Sequence, residues 1–301
     1  MNKVIVIVGP TGVGKTKLSV ELAKRLNGEI ISGDSVQVYR RMDIGSAKVT
    51  EEEKEGIEHY LVDIKDIDEE YSVYEFQKEV REKIELIKNK GKTAILAGGT
   101  GLYLKAALYD YEFSKEDNME FDDYKELTNK EAYELLTKLD PKEASKFHEN
   151  NRVRVVRALN IIKNNNMSKT ELLEKQDHKM LYDVVFIGLT SDRNTVYERI
   201  NKRVDKMVEN GLLEEVKTLY DECKDKNYSS MKAIGYKELF AYFNGELSLE
   251  ESLELIKKKS RNYAKRQYTW FNNQFDVNWF ETDFNNFDNT VNLVVDFIKS
   301  I

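Results

Sequence analysis

Near the start of the chain, Gly9-Pro10-Thr11-Gly12-Val13-Gly14-Lys15-Thr16 carries the spacing G-x-x-x-x-G-K-S/T. The chemistry of that pattern is phosphate binding. Glycines let the backbone N–H groups of Gly9, Thr11, Gly12, Val13 and Gly14 turn inward around an anion, and the following helix start adds partial positive charge. Lys15 is placed to reach outer phosphate oxygens, and the Thr16 hydroxyl to ligate Mg²⁺. The plain alternative, a glycine-rich turn with a surface lysine, leaves the surrounding pattern unexplained. The motif does not reveal the phosphate compound, because kinases, NTPases and some transferases share it.

Further chemistry-bearing residues follow at strand ends. Asp34 and Ser35 come directly after a short apolar run, and Asp34 has three readings: general base, Mg²⁺ partner or helix cap. Thr100 follows the glycine pair Gly98-Gly99, where the absence of side chains permits close backbone approach. Arg199 and Arg203 stand four apart on one helical face, and they suit either phosphate closure or solvation. Between Lys257 and Trp270, basic residues interleave with Tyr263, Tyr268 and Trp270, a mixture that suits nucleic acid through charge and stacking. The competing reading is an amphipathic helix whose aromatics are core.

The elements that must position these residues are legible in outline. Residues 3–8 are a β-branched apolar run, as a strand buried on both faces requires, and Leu18, Leu22 and Leu26 then form a helical stripe. Residues 29–32, 59–64, 93–97, 184–189 and 277–280 read as further strands. In an open α/β sheet the carboxyl ends of parallel strands face the ligand crevice, which gathers the glycine loop, Asp34 and Thr100 at one mouth. Capping boxes at Ser72–Glu75, Thr128–Glu131 and Ser248–Glu251 predict helix starts. From residue 109 to about 180 strand signals cease, so the reading is a P-loop core of 1–110 and 181–301 with a helical insertion at 111–180 that has a basic edge at Arg152, Arg154 and Arg157.

Composition narrows the class. At 41% hydrophobic residues, the 301-residue chain has material for a full core. No apolar run approaches the ~20 residues of a membrane span, the first strand starts too early for a signal peptide, and the single Cys223 excludes a disulfide framework or a cysteine metal cluster. A cytoplasmic protein is expected. The net charge of −7 argues mildly against nucleic acid, but polyanion binding needs only a local basic surface.

Taken together the motifs resemble the tRNA dimethylallyltransferase (tRNA isopentenyltransferase) family. The matching stretches are GPTGVGKT (9–16), SGDSVQVYRRMDIGSAK (32–48), AGGTGLYLKAAL (97–108), RALN (157–160), AIGYKEL (233–239) and AKRQYTWF (264–271). The glycine loop is shared widely, whereas the second and last stretches together are highly specific. The resemblance implies a nucleotide-kinase-like parallel sheet whose helical insertion grips a tRNA anticodon stem-loop. It implies transfer of a dimethylallyl group from dimethylallyl diphosphate to the exocyclic amine of the adenosine 3′ of the anticodon. Mg²⁺ is the implied ion, and the loop would hold the leaving diphosphate rather than ATP, although ATP is the usual ligand of such a loop. Asp34 matches the family's base and Thr100 a contact to the target adenosine, which must flip out of its stack. Lys15 and Arg203, or Arg199 in its place, would meet the diphosphate.

The segments matching tRNA contacts carry Asp34, Ser35, Val36, Gln37, Arg154, Arg157, Gly235, Tyr236, Lys237, Lys265, Arg266, Gln267 and Trp270. Val153-Arg154 stands where the family often has Gln-Arg, and Ser46 and Val49 replace a common threonine and proline. No membrane and no obligate protein partner are implied. Three rival readings remain: an adenylate isopentenyltransferase acting on free nucleotide, a P-loop small-molecule kinase, and a tRNA-binding protein with a vestigial loop.

Overall fold

The computed structural model describes residues 3–113, 124–175 and 177–301. In chain order the first unit contains β1 (Val4–Val8), α1 (Lys15–Leu26), β2 (Gly28–Ser32), α2 (Glu51–Lys54), β3 (His59–Tyr60), α3 (Val73–Asn89), β4 (Thr93–Ala97) and α4 (Gly101–Leu108). A second unit follows with α5 (Asn129–Leu139), α6 (Pro141–Ala144), α7 (Arg152–Asn165) and α8 (Lys169–Glu174). The first unit resumes with β5 (Val184–Thr190), α9 (Arg193–Glu209), α10 (Leu212–Cys223), α11 (Tyr236–Phe243), α12 (Leu249–Gln274), β6 (Asn278–Glu281) and α13 (Phe287–Ser300). The two compact units are Met1–Leu108 with Tyr182–Ile301, and Tyr109–Leu181.

All six strands run parallel in the order β3-β2-β4-β1-β5-β6, so the α/β fold class read from the sequence is observed. β1 lies inside the sheet with every residue buried, and its run of Val and Ile is what a strand covered on both faces requires. β1 pairs with β4 and β5, the register running Ile5 to Ile95 and Ile5 to Val185. Leu18, Leu22 and Ala23 of α1 close the core on one face together with Val291, Val294 and Ile298 of α13.

The capping boxes form at Ser72–Glu75, Thr128–Glu131 and Ser248–Glu251, and a further one at Thr50–Glu53. Each satisfies amide donors that would otherwise be orphaned at a helix start. Asp192, rather than Ser191, caps α9 through the Asn194 and Thr195 amides. The strand expected over 59–64 stops after Tyr60, because Leu61 (φ 62°) and Asp63 (φ 56°) take left-handed backbone that ends extended pairing. In the second unit Ala132, Leu136, Val155, Ala158 and Leu159 form a separate core. The part of the helical expectation at residues 114–123 lies outside the described residues.

Candidate active site

The loop between β1 and α1 is shaped by glycine at its last turn. Gly14 has φ 98°, and a side chain there would place Cβ 2.8 Å from the Phe287 ring. The loop's outer side is held by the segment after β6: the Thr282 hydroxyl donates to the Val13 carbonyl at 3.2 Å, and Lys17 lies over Phe287 at 4.8 Å. Lys15 Nζ donates to the Gly9 and Pro10 carbonyls at 3.0 and 2.8 Å. Thr16 is exposed in the first turn of α1.

Two arginines of α9 reach this loop. Arg203 Nη1 donates to the Thr11 hydroxyl at 3.1 Å. Arg199 Nε donates to the Gly12 carbonyl at 2.9 Å while its guanidinium lies 3.9 Å from the Phe284 ring centre. Burial, then the neighbouring Arg203 charge, lowers the Lys15 pKa to about 8 against an opposing pull from Asp34. Burial likewise lowers Arg203, and Asp34 again opposes. Two half-buried cations thus face one carboxylate, an excess of positive charge suited to an anion with more than one negative charge.

The Asp34 carboxylate lies in this site, since it acts on Lys15, Arg203 and the hydroxyls of Tyr103 and Tyr263. Its Oδ1 accepts from the Val36 amide at 2.8 Å and the Gln37 amide at 3.3 Å. Of the three sequence readings, the helix cap does not form, because no helix follows Asp34; the carboxylate caps a turn instead, and it does so through only one oxygen. Gln37 is tied down by the Ser32 hydroxyl at 3.2 Å and by its own bond to the Ala47 carbonyl at 3.1 Å. Across the mouth the Thr100 hydroxyl donates to Ser35 Oγ at 3.4 Å, and the Thr100 amide to the Gly33 carbonyl at 3.3 Å. Asp34, Ser35, Val36 and Gln37 are all half-buried.

The residues expected at the RNA divide. Lys265 and Arg266 are exposed on α12 and, with Trp270, Asn262 and Asn273, line an open groove of about 510 Å³. Lys237 is exposed. Arg154 and Arg157 are exposed on α7 of the second unit, with Arg154 over the Phe147 ring at 5.8 Å. Gly235, Tyr236 and Gln267, in contrast, are interior. Tyr236 is 0% exposed and donates its hydroxyl to Glu215 at 2.7 Å. The Gly235 amide is taken by Glu238 at 2.7 Å. Gln267 bridges two loops of the site. These three act on the architecture rather than at the surface.

Glu215 went unread in the sequence. Its carboxylate accepts the amides of Asp43, Ile44 and Gly45 at 2.9, 2.7 and 3.0 Å, fixing the loop that follows Asp34 to α10. A glutamate in a helix's first turn reads as a simple dipole partner, and nothing local marks its target 170 residues earlier. Lys48, the last residue of the matching stretch 32–48, is buried and held by Asp43, Asp63 and the Tyr39 carbonyl.

A parallel sheet whose first strand feeds a glycine loop and helix, with catalytic-type side chains at the strands' carboxyl ends, defines the class: an α/β protein with a P-loop-like core. A family profile described as IPP transferase matches residues 37–274. A tRNA dimethylallyltransferase of Bacillus cytotoxicus is 53% identical over 93% of this chain and 90% of its own. That of Anoxybacillus flavithermus is 49% identical over 99% and 96%. Among solved structures, a tRNA delta(2)-isopentenylpyrophosphate transferase from Staphylococcus epidermidis superposes with a TM-score of 0.75 at 42% identity, covering 100% of this chain and 99% of that one. A eukaryotic dimethylallyltransferase acting on tRNA gives 0.87 at 32% identity, over 100% and 80%. The chain belongs to the IPP transferase family, among the tRNA dimethylallyltransferases.

Proposed function

We propose that this protein transfers a dimethylallyl group from dimethylallyl diphosphate to the exocyclic amine of the adenosine 3′ of a tRNA anticodon, giving isopentenyladenosine. The observation that carries the reading is the convergence of a cation-lined glycine loop with Asp34 and Thr100 on one site, in a chain of this family. The C–O bond to the diphosphate breaks, the new C–N bond forms at the amine, and the amine's proton passes to Asp34. An adenine amine is a weak nucleophile because its lone pair is shared with the ring, so a base on its proton matters. Thr100 and Ser35 orient the acceptor, while the loop amides, Lys15 and Arg203 meet the charge gathering on the leaving diphosphate. Arg203 takes this role ahead of Arg199, whose guanidinium is already engaged by Gly12 and Phe284.

Mg²⁺ fits the donor set. Mg²⁺ takes oxygen ligands and is commonly carried mainly by substrate phosphates and water, with few ligands from the protein. Thr16 would hold it from the protein side, and when bound it supplies neutralisation of diphosphate charge. Lys265, Arg266 and Trp270 of α12, Lys237, and Arg154 and Arg157 of α7 are the proposed contacts to the anticodon stem-loop. The cytoplasm is the proposed site of action. Among the described residues no helix is long and apolar enough to cross a membrane.

The test is incubation of the purified protein with dimethylallyl diphosphate, Mg²⁺, an anticodon stem-loop, free AMP and radiolabelled ATP, followed by mass spectrometry of the nucleosides and tracing of the label. One added prenyl unit on the adenosine 3′ of the anticodon is expected. Prenylation of free AMP with the stem-loop untouched would make it an adenylate isopentenyltransferase. Phosphate transfer from ATP, with the prenyl donor unused, would make it a kinase.

A further inference from the structure

Gln267 sits on α12 next to the exposed Arg266, but its own side chain points inward and is only 5% exposed. Its Oε1 accepts the Thr11 amide of the glycine loop at 3.0 Å. Its Nε2 donates to the Gly99 carbonyl, directly before Thr100, also at 3.0 Å. An amide side chain has one accepting and one donating end, and here both ends are used, on two different loops. The fit is tight: a Cβ at Gly99 would lie 2.1 Å from Gln267 Nε2. Tyr263, one helical turn earlier, adds its hydroxyl to the same Gly99 carbonyl at 3.4 Å.

We infer that Gln267 is a positioning residue that locks the diphosphate loop and the Thr100 loop into one hydrogen-bonded frame. The frame sets the distance between donor and acceptor, and it does so from the helix whose outer face carries Lys265 and Arg266. The inference rests on the reading of residues 9–16 as the donor's diphosphate site. Glycine at position 99 is explained by the same contact. A displacement of about 1 Å between reacting groups costs on the order of 10²-fold in rate, so loosening either bond should lower turnover without removing either ligand.

The experiment compares the wild type with Gln267→Met, which keeps length and loses both bonds, and with Gln267→Glu, which can accept from Thr11 but cannot donate to Gly99. Hydrogen exchange is followed with and without inorganic pyrophosphate, alongside kcat and the KM values of both substrates. In the wild type, pyrophosphate should slow exchange in residues 9–16 and also in 98–101. In both variants the effect on 98–101 should vanish while that on 9–16 remains, and kcat should fall by a factor on the order of 10–100 with little change in either KM. Should Gln267→Met melt too early to assay, Gln267→Glu carries the comparison. Undiminished kcat, pyrophosphate protection of 98–101 that survives both substitutions, or a loss confined to the KM for RNA would overturn the inference. The exchange readout needs no prenyl transfer: loop-to-loop protection in a protein that prenylates nothing would defeat the proposed reaction and leave the coupling standing.

Discussion

Asp34 accepts the Val36 and Gln37 amides through Oδ1 alone, so its role as a turn cap and its proposed role as a base can be separated. Asparagine keeps an acceptor oxygen for the turn but cannot take a proton. Asp34→Asn is therefore expected to lower kcat by a factor on the order of 10² or more, with stem-loop affinity and melting temperature close to wild type. Asp34→Ala should show the same loss of turnover together with a lower melting temperature, since the cap is worth about 1 kcal/mol. Single-turnover prenylation with stem-loop binding measured in parallel checks both. Normal turnover per bound RNA with weakened binding would instead make Asp34 a recognition residue. Position in sequence marked Asp34 as a site residue. The division of labour between its two oxygens needed coordinates, because an Asp-Ser after a strand reads equally as a cap or a base.

Two elements owe their placement to glutamates, one half-buried and one buried. Glu215 on α10 gathers three consecutive amides of residues 43–45 and the Tyr236 hydroxyl. Glu215→Ala leaves those amides without their acceptor, at about 1–3 kcal/mol, and should raise exchange across 42–47 while residues 9–16 stay protected. Exchange mass spectrometry would show whether the loosening stays in that loop. At the opposite end of β2, Glu29 is buried beneath Lys92, Lys90 and Tyr60 at 2.7, 2.9 and 2.7 Å. Burial pushes its carboxyl up, but the Lys92, Tyr60 and Lys90 bonds outweigh it and hold the pKa at about 2, below the ordinary 4.5. A depressed carboxyl stabilises the fold above its unfolded pKa and loses that contribution as pH falls through the folded one. Glu29→Gln should thus cost about 3 kcal/mol at pH 7, and the gap to wild type should close between pH 4.5 and about 2. Urea melts across that range measure it. The strand, loop and helix over residues 4–26 could be read directly, since each depends on neighbours within a few positions. The sheet order could not, because β1 receives β4 and β5 from far along the chain. The same reason hid Glu215.

Across the whole molecule, a chain of net charge −7 must present RNA with a local cationic face, and the basic run of α12 is less basic than it reads. Lys257 is paired with Asp205 and Glu254, and Lys259 with the buried Glu238. Lys265 and Arg266 remain exposed beside the groove, with Arg266 near the Tyr263 ring at 5.7 Å. Identical residue types along one helix thus have different work, decided by acidic partners on α9 and α11 that sequence spacing does not reveal. Counterion release translates this into a measurement. Each lysine or arginine on a phosphate contributes about 0.7–0.9 to the slope of log affinity against log salt concentration. Replacing both Lys265 and Arg266 by Ala should flatten the slope for an anticodon stem-loop by roughly 1.5, whereas Lys257→Ala, which removes a charge already neutralised, should leave it unchanged. Binding titrations from low to physiological salt decide between them. An equal flattening in both variants would mean that the RNA displaces the Asp205 pair and lies along the full length of α12. No flattening in either would move the phosphate contacts off this helix altogether.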